Sequence, residues 1–472
     1  MAMGKRKQLQ QALFVAATDL PRSAGHPFYQ QLNRLLAESV FDRWIEDRCQ
    51  PYYVVEDKRG QPSIPPGMYF RMLLVGYFEG LDSQRGIAWR CGDSLSLREF
   101  LGVSLNKKTP DHSTMTNTRK RLPPEVFQEV FQFVLRIAEG KKLLSGKTVG
   151  VDSTMLEANA AMKSIVRRDT GEDWQEYVTR LMREEGVIGA EHQPTDEEVR
   201  RYDKSRKNKR VSNDEWVAPN DPEARIAKMK DGTTHLAYKA EHVVDLQSDM
   251  VLAAEILPAN HGDCDTMVDS VVAAQLNLKA AGSDAMIEEV VADKGYHKAA
   301  TLETADDLDM RTYIPEPKRD HDRTWEDKPT EQQRCVYNNR RRMKRAKGKR
   351  LQRLRSERVE RTFAHICDSG GARRTRLTKL ENVTKRYLIA AAAHNLGRIL
   401  LKLLGIGKPK ALQGGMHGAE LLATLMQSAI GPLIAPIAAL TAWLAAMLKS
   451  DRRPALSGSC REKWLTSTGC YA

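Results

Sequence analysis

Apolar residues recur at three- and four-residue steps early in the chain and form short continuous runs after residue 147. Leu32, Leu35, Leu36, Val40, Phe41, Trp44 and Ile45 follow the first pattern and predict an amphipathic helix. Pro65-Pro66 opens a second helix carrying Met68, Met72, Leu73, Val75, Phe78 and Leu81, and Pro123-Pro124 a third carrying Val126, Phe127, Val130, Phe131, Val134 and Ile137. Proline suits a helix start because its missing N–H would lack an intrahelical partner there. Residues 26–140 thus read as a mostly helical domain behind an N-terminal tail, residues 1–25.

Thr148-Val149-Gly150-Val151-Asp152 is a strand-like run ending in a carboxylate. A polar, charge-mixed stretch over residues 163–230 reads as an insertion, placed at about 160–232. Strand patterns return at 235–246 and 250–258, with Ser248-Asp249 as the turn of a hairpin. A helix over 266–280, a strand over 287–292 ending at Asp293, a helix over 299–308 and a strand over 311–314 follow. Residues 340–404 are largely helical, broken near Gly370-Gly371. This order predicts an α/β domain over 141–404, with residues 405–472 as a helical tail.

Charge changes this picture most. The 74 Lys and Arg against 61 Asp and Glu leave a net +13, which calls for a polyanionic partner. Residues 340–361 hold twelve Lys or Arg against Glu357 and Glu360, so most of the excess lies in one segment. Seven scattered cysteines without a C-x-x-C argue against a disulfide framework and fit a reducing compartment. Residues 421–448 carry no charge, but Gly431, Pro432 and Pro436 interrupt them, so a packed helical hairpin is expected rather than a membrane span.

Asp152 and Asp293 end apolar strands, where side chains of an open α/β sheet reach the ligand crevice. Glu360 lies on the basic helix. Each alone has a plain structural reading, as a turn former, a helix cap or a surface ion-pair partner. Together, three carboxylates supply the oxygen ligands that two hard divalent cations need for in-line phosphodiester displacement.

Three segments carry a family resemblance: Val149-Gly150-Val151-Asp152-Ser153-Thr154, Val290-Val291-Ala292-Asp293-Lys294-Gly295-Tyr296-His297 and Val359-Glu360-Arg361-Thr362-Phe363. They resemble the acidic motifs of bacterial DDE-type insertion-sequence transposases. Ala237-Tyr238-Lys239-Ala240-Glu241-His242 resembles that family's second-strand Tyr-Lys segment, and residues 81–121 its helical region before the catalytic core. The resemblance implies an RNase H-like mixed-sheet core with its insertion after the first strand. It implies Asp152, Asp293 and Glu360 as catalytic metal ligands for two Mg²⁺ ions, with Mn²⁺ able to substitute. It also implies cleavage at the ends of a mobile element and joining of the 3′ ends to target DNA, by a homodimer in the bacterial cytoplasm at the nucleoid. The alternatives are a nuclease of the same fold and a catalytically inactive DNA-binding relative.

The sequence departs from the family around the Glu. Relatives carry Tyr, Arg and Lys where this chain has Arg353, Ser356 and Cys367. Arg353 lies about two turns before Glu360, on the same face. The expected DNA contacts are Arg340, Arg341, Arg342, Lys344, Arg345, Arg353 and Arg361 on the basic segment. Lys239, Lys294 and His297 are expected beside the site. Arg119, Lys120 and Arg121 are expected on a helix-turn-helix-like unit with Ser113 as cap.

Overall fold

The computed structural model describes residues 26–53, 63–207, 211–229, 231–318, 324–326 and 328–409. The apolar run at 421–448 and both tails' ends lie outside them. The helical part comprises α1 (Pro27–Glu38), α2 (Phe41–Cys49), α3 (Pro66–Glu79), α4 (Gln84–Asp93), α5 (Leu95–Phe100), α6 (His112–Arg121) and α7 (Pro124–Gly140). The single helix expected over 32–45 is in fact two. Val40 takes a left-handed φ of 54° between them, and the turn lets Leu32, Leu36, Phe41 and Ile45 all face one core. α3 starts at Pro66, ends on Gly80 at φ 70° and is buried along most of its length, so it is the central helix of this region. α6 is capped by Asp111, which accepts from Thr114 N at 2.8 Å, and not by Ser113, whose hydroxyl donates to Asp111. Residues 101–111 separate α5 from α6. A helix-turn-helix joins its helices by a turn of about three or four residues, so that reading does not hold.

The chain enters the sheet at β1 (Thr148–Glu157) and then leaves it. β2 (Val166–Arg167) pairs with β3 (Trp216–Val217) around α8 (Trp174–Glu184) and α9 (Asp196–Ser205). Both helices begin with reciprocal side-chain caps, Asp173 with Glu176 and Thr195 with Glu198. Val178, Met182 and Val199 give this insertion its own small core. β4 (Arg225–Lys228) already belongs to the main sheet, pairing with β5 (Thr234–Asp245), which also pairs with β6 (Val251–Pro258). α10 (Asp263–Ala280), β7 (Glu289–Val291), α11 (Ala299–Asp307), β8 (Arg311–Tyr313), α12 (Thr330–Lys344) and α13 (Ala346–Phe363) follow. A π-helical turn (Ala364–Ser369) leads on to α14 (Leu380–Leu404).

The sheet order is β6-β5-β1-β7-β8, with β4 beside β6 on the far edge of β5. β1 is antiparallel to β5 and parallel to β7, and β7 is parallel to β8. This is a mixed α/β domain with the RNase H-like sheet implied by the resemblance. Side chains alternate across it. Gly150, Asp152 and His242 face α13. Ser153, Lys239 and Glu241 face α10. α14 is long and apolar enough to cross a membrane, but most of its apolar stretch is buried within the protein. It also holds Asn395, which bonds both the N–H and the C=O of Val251 on β6.

Two contacts dock α13. A Cβ on Gly150 would stand 2.8 Å from Val359 Cγ2 and 3.2 Å from Arg355 Cγ, so only glycine lets the helix lie this close to β1. His242 shares hydrogen bonds of 2.8 Å with Thr362 Oγ1 and Tyr387 Oη and stacks on Phe363 at 4.0 Å. Gly150→Ala is expected to lower stability by about 1–3 kcal/mol through overpacking, measured by urea unfolding. Burial holds His242 down to about 3 from the ordinary 6.5. Burial, with Lys408 and Arg398 nearby, holds His365 at about 4. Both stay neutral when folded but protonate when unfolded below about pH 6.5, so stability is full above that pH and falls as pH drops toward about 4. The melting temperature is expected to decline over that window, and His242→Gln to flatten the decline.

Candidate active site

The strand register brings the two aspartates together. Gly150 on β1 pairs in parallel with Val291 on β7. Asp152 stands two residues further along β1, and Asp293 two residues past Val291, just beyond the end of β7. Asp293 sits in an extended conformation and accepts from Gly295 N at 2.7 Å, fixing the turn that follows. Asp152 accepts from Ser153 N at 2.8 Å and is ion-paired with Arg355 Nη1 at 2.8 Å.

α13 crosses the sheet obliquely. Gln352 donates to Ala292 O and Tyr313 O at the ends of β7 and β8, Arg355 meets β1, and Thr362 meets β5. Glu360 lies on the helix edge that carries Gln352 and Ser356. It is exposed and accepts from Ser356 Oγ at 2.9 Å. Glu357 is turned away and pairs with Arg361 at 2.5 Å. Among the described residues, no three His, Cys, Asp or Glu side chains are gathered around one point that suits a metal ion. Asp152 lies within β1, Asp293 just past the end of β7, and Glu360 on α13. The donors are all carboxylate oxygens, the type a hard divalent cation takes. Arg355 occupies the cationic position against Asp152.

Behind the aspartates, on the α10 face, is a closed polar network. Lys239 is fully buried, and its ammonium lies 3.2 Å from Glu241 and 2.8 Å from Asp263. Thr266 accepts from Lys239 and donates to Glu241, each at 2.9 Å, and Ser270 donates to the other Glu241 oxygen at 2.5 Å. Tyr296 donates to Glu241 at 2.9 Å, and Ser153 to Asp263 at 2.9 Å. Burial, with Glu241, Asp263 and Asp152 nearby, holds the Tyr296 phenol well above its usual range. The network therefore ties the residue after Asp152 to the turn after Asp293. Sequence pattern does not mark Asp263, Ser153, Tyr296 or Arg355 as functional. Asp263 directly follows a glycine at a helix start, a pattern shared by many plain caps, and Arg355 is one of twelve cations in its run.

Several expected DNA contacts are buried or engaged within the protein. Lys239 has its charge neutralised inside the protein, and His297 is 8% exposed beneath the turn. Arg342 is fixed to Thr312 through its backbone oxygen and hydroxyl, and Arg340 to Glu316 at 2.8 Å. Arg361 bonds Glu357 and approaches Asp249. Arg119 is turned inward, with two guanidinium nitrogens shut off from solvent. Lys294, Arg341, Lys344, Arg345, Arg353 and Lys120 are exposed. Arg121 is exposed too, with its guanidinium over the Tyr53 ring at 4.7 Å.

No curated protein and no solved structure matches the chain. Two protein families do. Residues 21–121 match the Transposase domain (DUF772) and residues 198–396 the Transposase DDE domain. The second match contains Asp293 and Glu360, whereas Asp152 falls between the two. The helical part and the sheet part each match a transposase domain, in this order along one polypeptide, and the chain belongs to the insertion-sequence DDE transposases.

Proposed function

We propose that this transposase binds the ends of its mobile element, cleaves them and joins the 3′ ends to target DNA, with Asp152, Asp293 and Glu360 as its catalytic carboxylates. The observation that carries this reading is the placement of Asp152 on β1 and of Asp293 just past the end of the adjacent parallel β7, with a strongly basic helix packed on β1 and ion-paired to Asp152. Divalent metal, most simply Mg²⁺, supplies Lewis-acid activation of the attacking oxygen and stabilisation of the leaving one. Asp152 and Asp293 hold that charge from the sheet. Glu360, whose carboxylate here accepts from Ser356, would supply the third ligand from α13. Arg355 neutralises Asp152, whose carboxylate would be one of the oxygen ligands to a divalent cation. A carboxylate without a counter-charge would otherwise face the partly enclosed crevice.

The exposed cations Arg341, Lys344, Arg345 and Arg353 precede Glu360 along α12 and α13 and suit the DNA backbone, as does Lys294 next to Asp293 in sequence. Such contacts give affinity without sequence choice. A homodimer that brings two element ends together fits the joining step, and a protein acting on DNA at the bacterial nucleoid fits the charge. The nuclease reading differs only in lacking the joining step, and an inactive relative lacks both.

Asp152→Asn, Asp293→Asn and Glu360→Gln are each expected to reduce cleavage by at least about 10²-fold while duplex binding persists. Cleavage and joining of labelled element ends in Mg²⁺ would measure this. Cleavage without joining identifies a nuclease, and unchanged activity in all three variants removes the site. Replacing Arg341, Lys344, Arg345 and Arg353 with Gln is expected to flatten the salt dependence of DNA affinity. The logarithmic slope should fall by roughly 0.9 for each cation that neutralises a phosphate, read from binding isotherms across a salt series.

A further inference from the structure

The outer side of α10 is apolar at its centre and charged at both ends. Met267, Val271, Ala274 and Leu278 are buried on the side that packs on β5 and β6. On the opposite side Asp269, Val272, Leu276 and Lys279 are all exposed, Val272 by 40% and Leu276 by 59%. At about 3.6 residues per turn, these four fall within roughly 80° of one another around the helix. A third apolar residue borders them. The Gln275 side chain bonds Ala285 O at 2.9 Å and Ile287 N at 2.8 Å, which lays that segment along the helix, and Met286 in its middle is 65% exposed. Single exposed apolar side chains are ordinary, but Val272 and Leu276 stand one turn apart on one face.

The order of these residues is self-complementary. Asp269, Val272, Leu276 and Lys279 are spaced by three, four and three positions, so either end reads as a charge, two apolar residues and the opposite charge. Asp265, one turn earlier, is already paired with Lys298 at 2.8 Å. Asp269 and Lys279 have no ion-pair partner among the described residues. They stand about 15 Å apart along the helix, too far to pair with each other. A second α10 can lie antiparallel on the first, with the two-fold axis level with Ala274. Val272 then meets the partner's Leu276, and Asp269 meets the partner's Lys279. Both charged pairs form at once, because a two-fold contact repeats each interaction.

We infer that α10 joins two copies of this chain, helix antiparallel to helix, through Val272, Leu276 and Met286, with Asp269 and Lys279 as the pairing charges. Apolar burial at the centre supplies the affinity. The charges fix the register and exclude the parallel arrangement, which would set like charges together. Asp152 and Ser153 are adjacent on β1 and contact Arg355 of α13 and Asp263 of α10, so the two helices lie on opposite faces of the sheet. A contact through α10 therefore leaves α13 and its cations outside the interface in both copies. The inference rests on the homodimer of the proposed function and names its surface. It is read from mass and not from chemistry, so a failed joining assay leaves it standing.

Sedimentation velocity of the full chain, without DNA and across a concentration series, tests the contact. A monomer–dimer equilibrium is expected. Asp269→Lys and Lys279→Asp are each expected to weaken the dimer at least about 10-fold by setting like charges together, and the double variant to restore it. Leu276→Glu is expected to weaken it at least about 10-fold. At a dilution where the parent is monomeric, Leu276→Glu is expected to melt with the parent, because the side chain is exposed in the single chain. A monomer at every concentration overturns the proposal. So does a dimer indifferent to Leu276→Glu or to the single charge reversals, or a double variant no tighter than the singles. A melting temperature several degrees lower for Leu276→Glu at that dilution also overturns it, because another part of the chain then covers the strip.

Discussion

One buried ammonium organises the catalytic half of this transposase. Lys239 is fully enclosed and lies between Glu241 and Asp263, so β5 and the start of α10 are held by charge as well as by packing. Removing one partner from a buried ion pair typically costs about 3–5 kcal/mol, because the other charge is left unpaired. The same carboxylates accept from Ser153 and Tyr296. Each of these stands within three residues of a candidate catalytic aspartate. The positions of Asp152 and Asp293 thus rest on a polar network on the opposite face of the sheet.

The α13 face uses a different principle. There, close approach matters more than charge, since Gly150 leaves room for Val359 and Arg355. The helix is rich in cations because it serves two surroundings. Its inner edge places Arg355 on Asp152 and Gln352 on the ends of β7 and β8. Its outer edge offers Arg353 to solvent. A run of like charges thus divides by helical position into structural and exposed groups, and no single role describes the whole run.

Much of the fold is legible in local pattern. Proline pairs mark the starts of α3 and α7, and apolar runs mark β1, β5, β6 and β7. Asp293 does follow a strand end, but β1 runs on to Glu157, so Asp152 lies mid-strand and not at the end that the apolar run suggests, because its polar continuation still pairs with β5. Other features are not local. The break at Val40 needs a left-handed residue that no turn signal announces. Asp263 gains its importance only from Lys239 and Ser153, which are distant in sequence. Arg119 looks like any other basic residue on a polar helix until α14 closes over it.

The sequence by itself determined the order of elements, the concentration of positive charge before Glu360, and the acidic motifs that resemble the family. These depend on residue type and short-range spacing, which a linear chain carries directly. The tertiary structure alone decided which charges face solvent and which face each other. That choice enclosed Lys239, turned Arg119 inward, paired Arg355 with Asp152 and left Glu360 on Ser356. The physical reason is that burial and counter-ion distance set the energy of a charge, and both are properties of chain segments brought together from far apart.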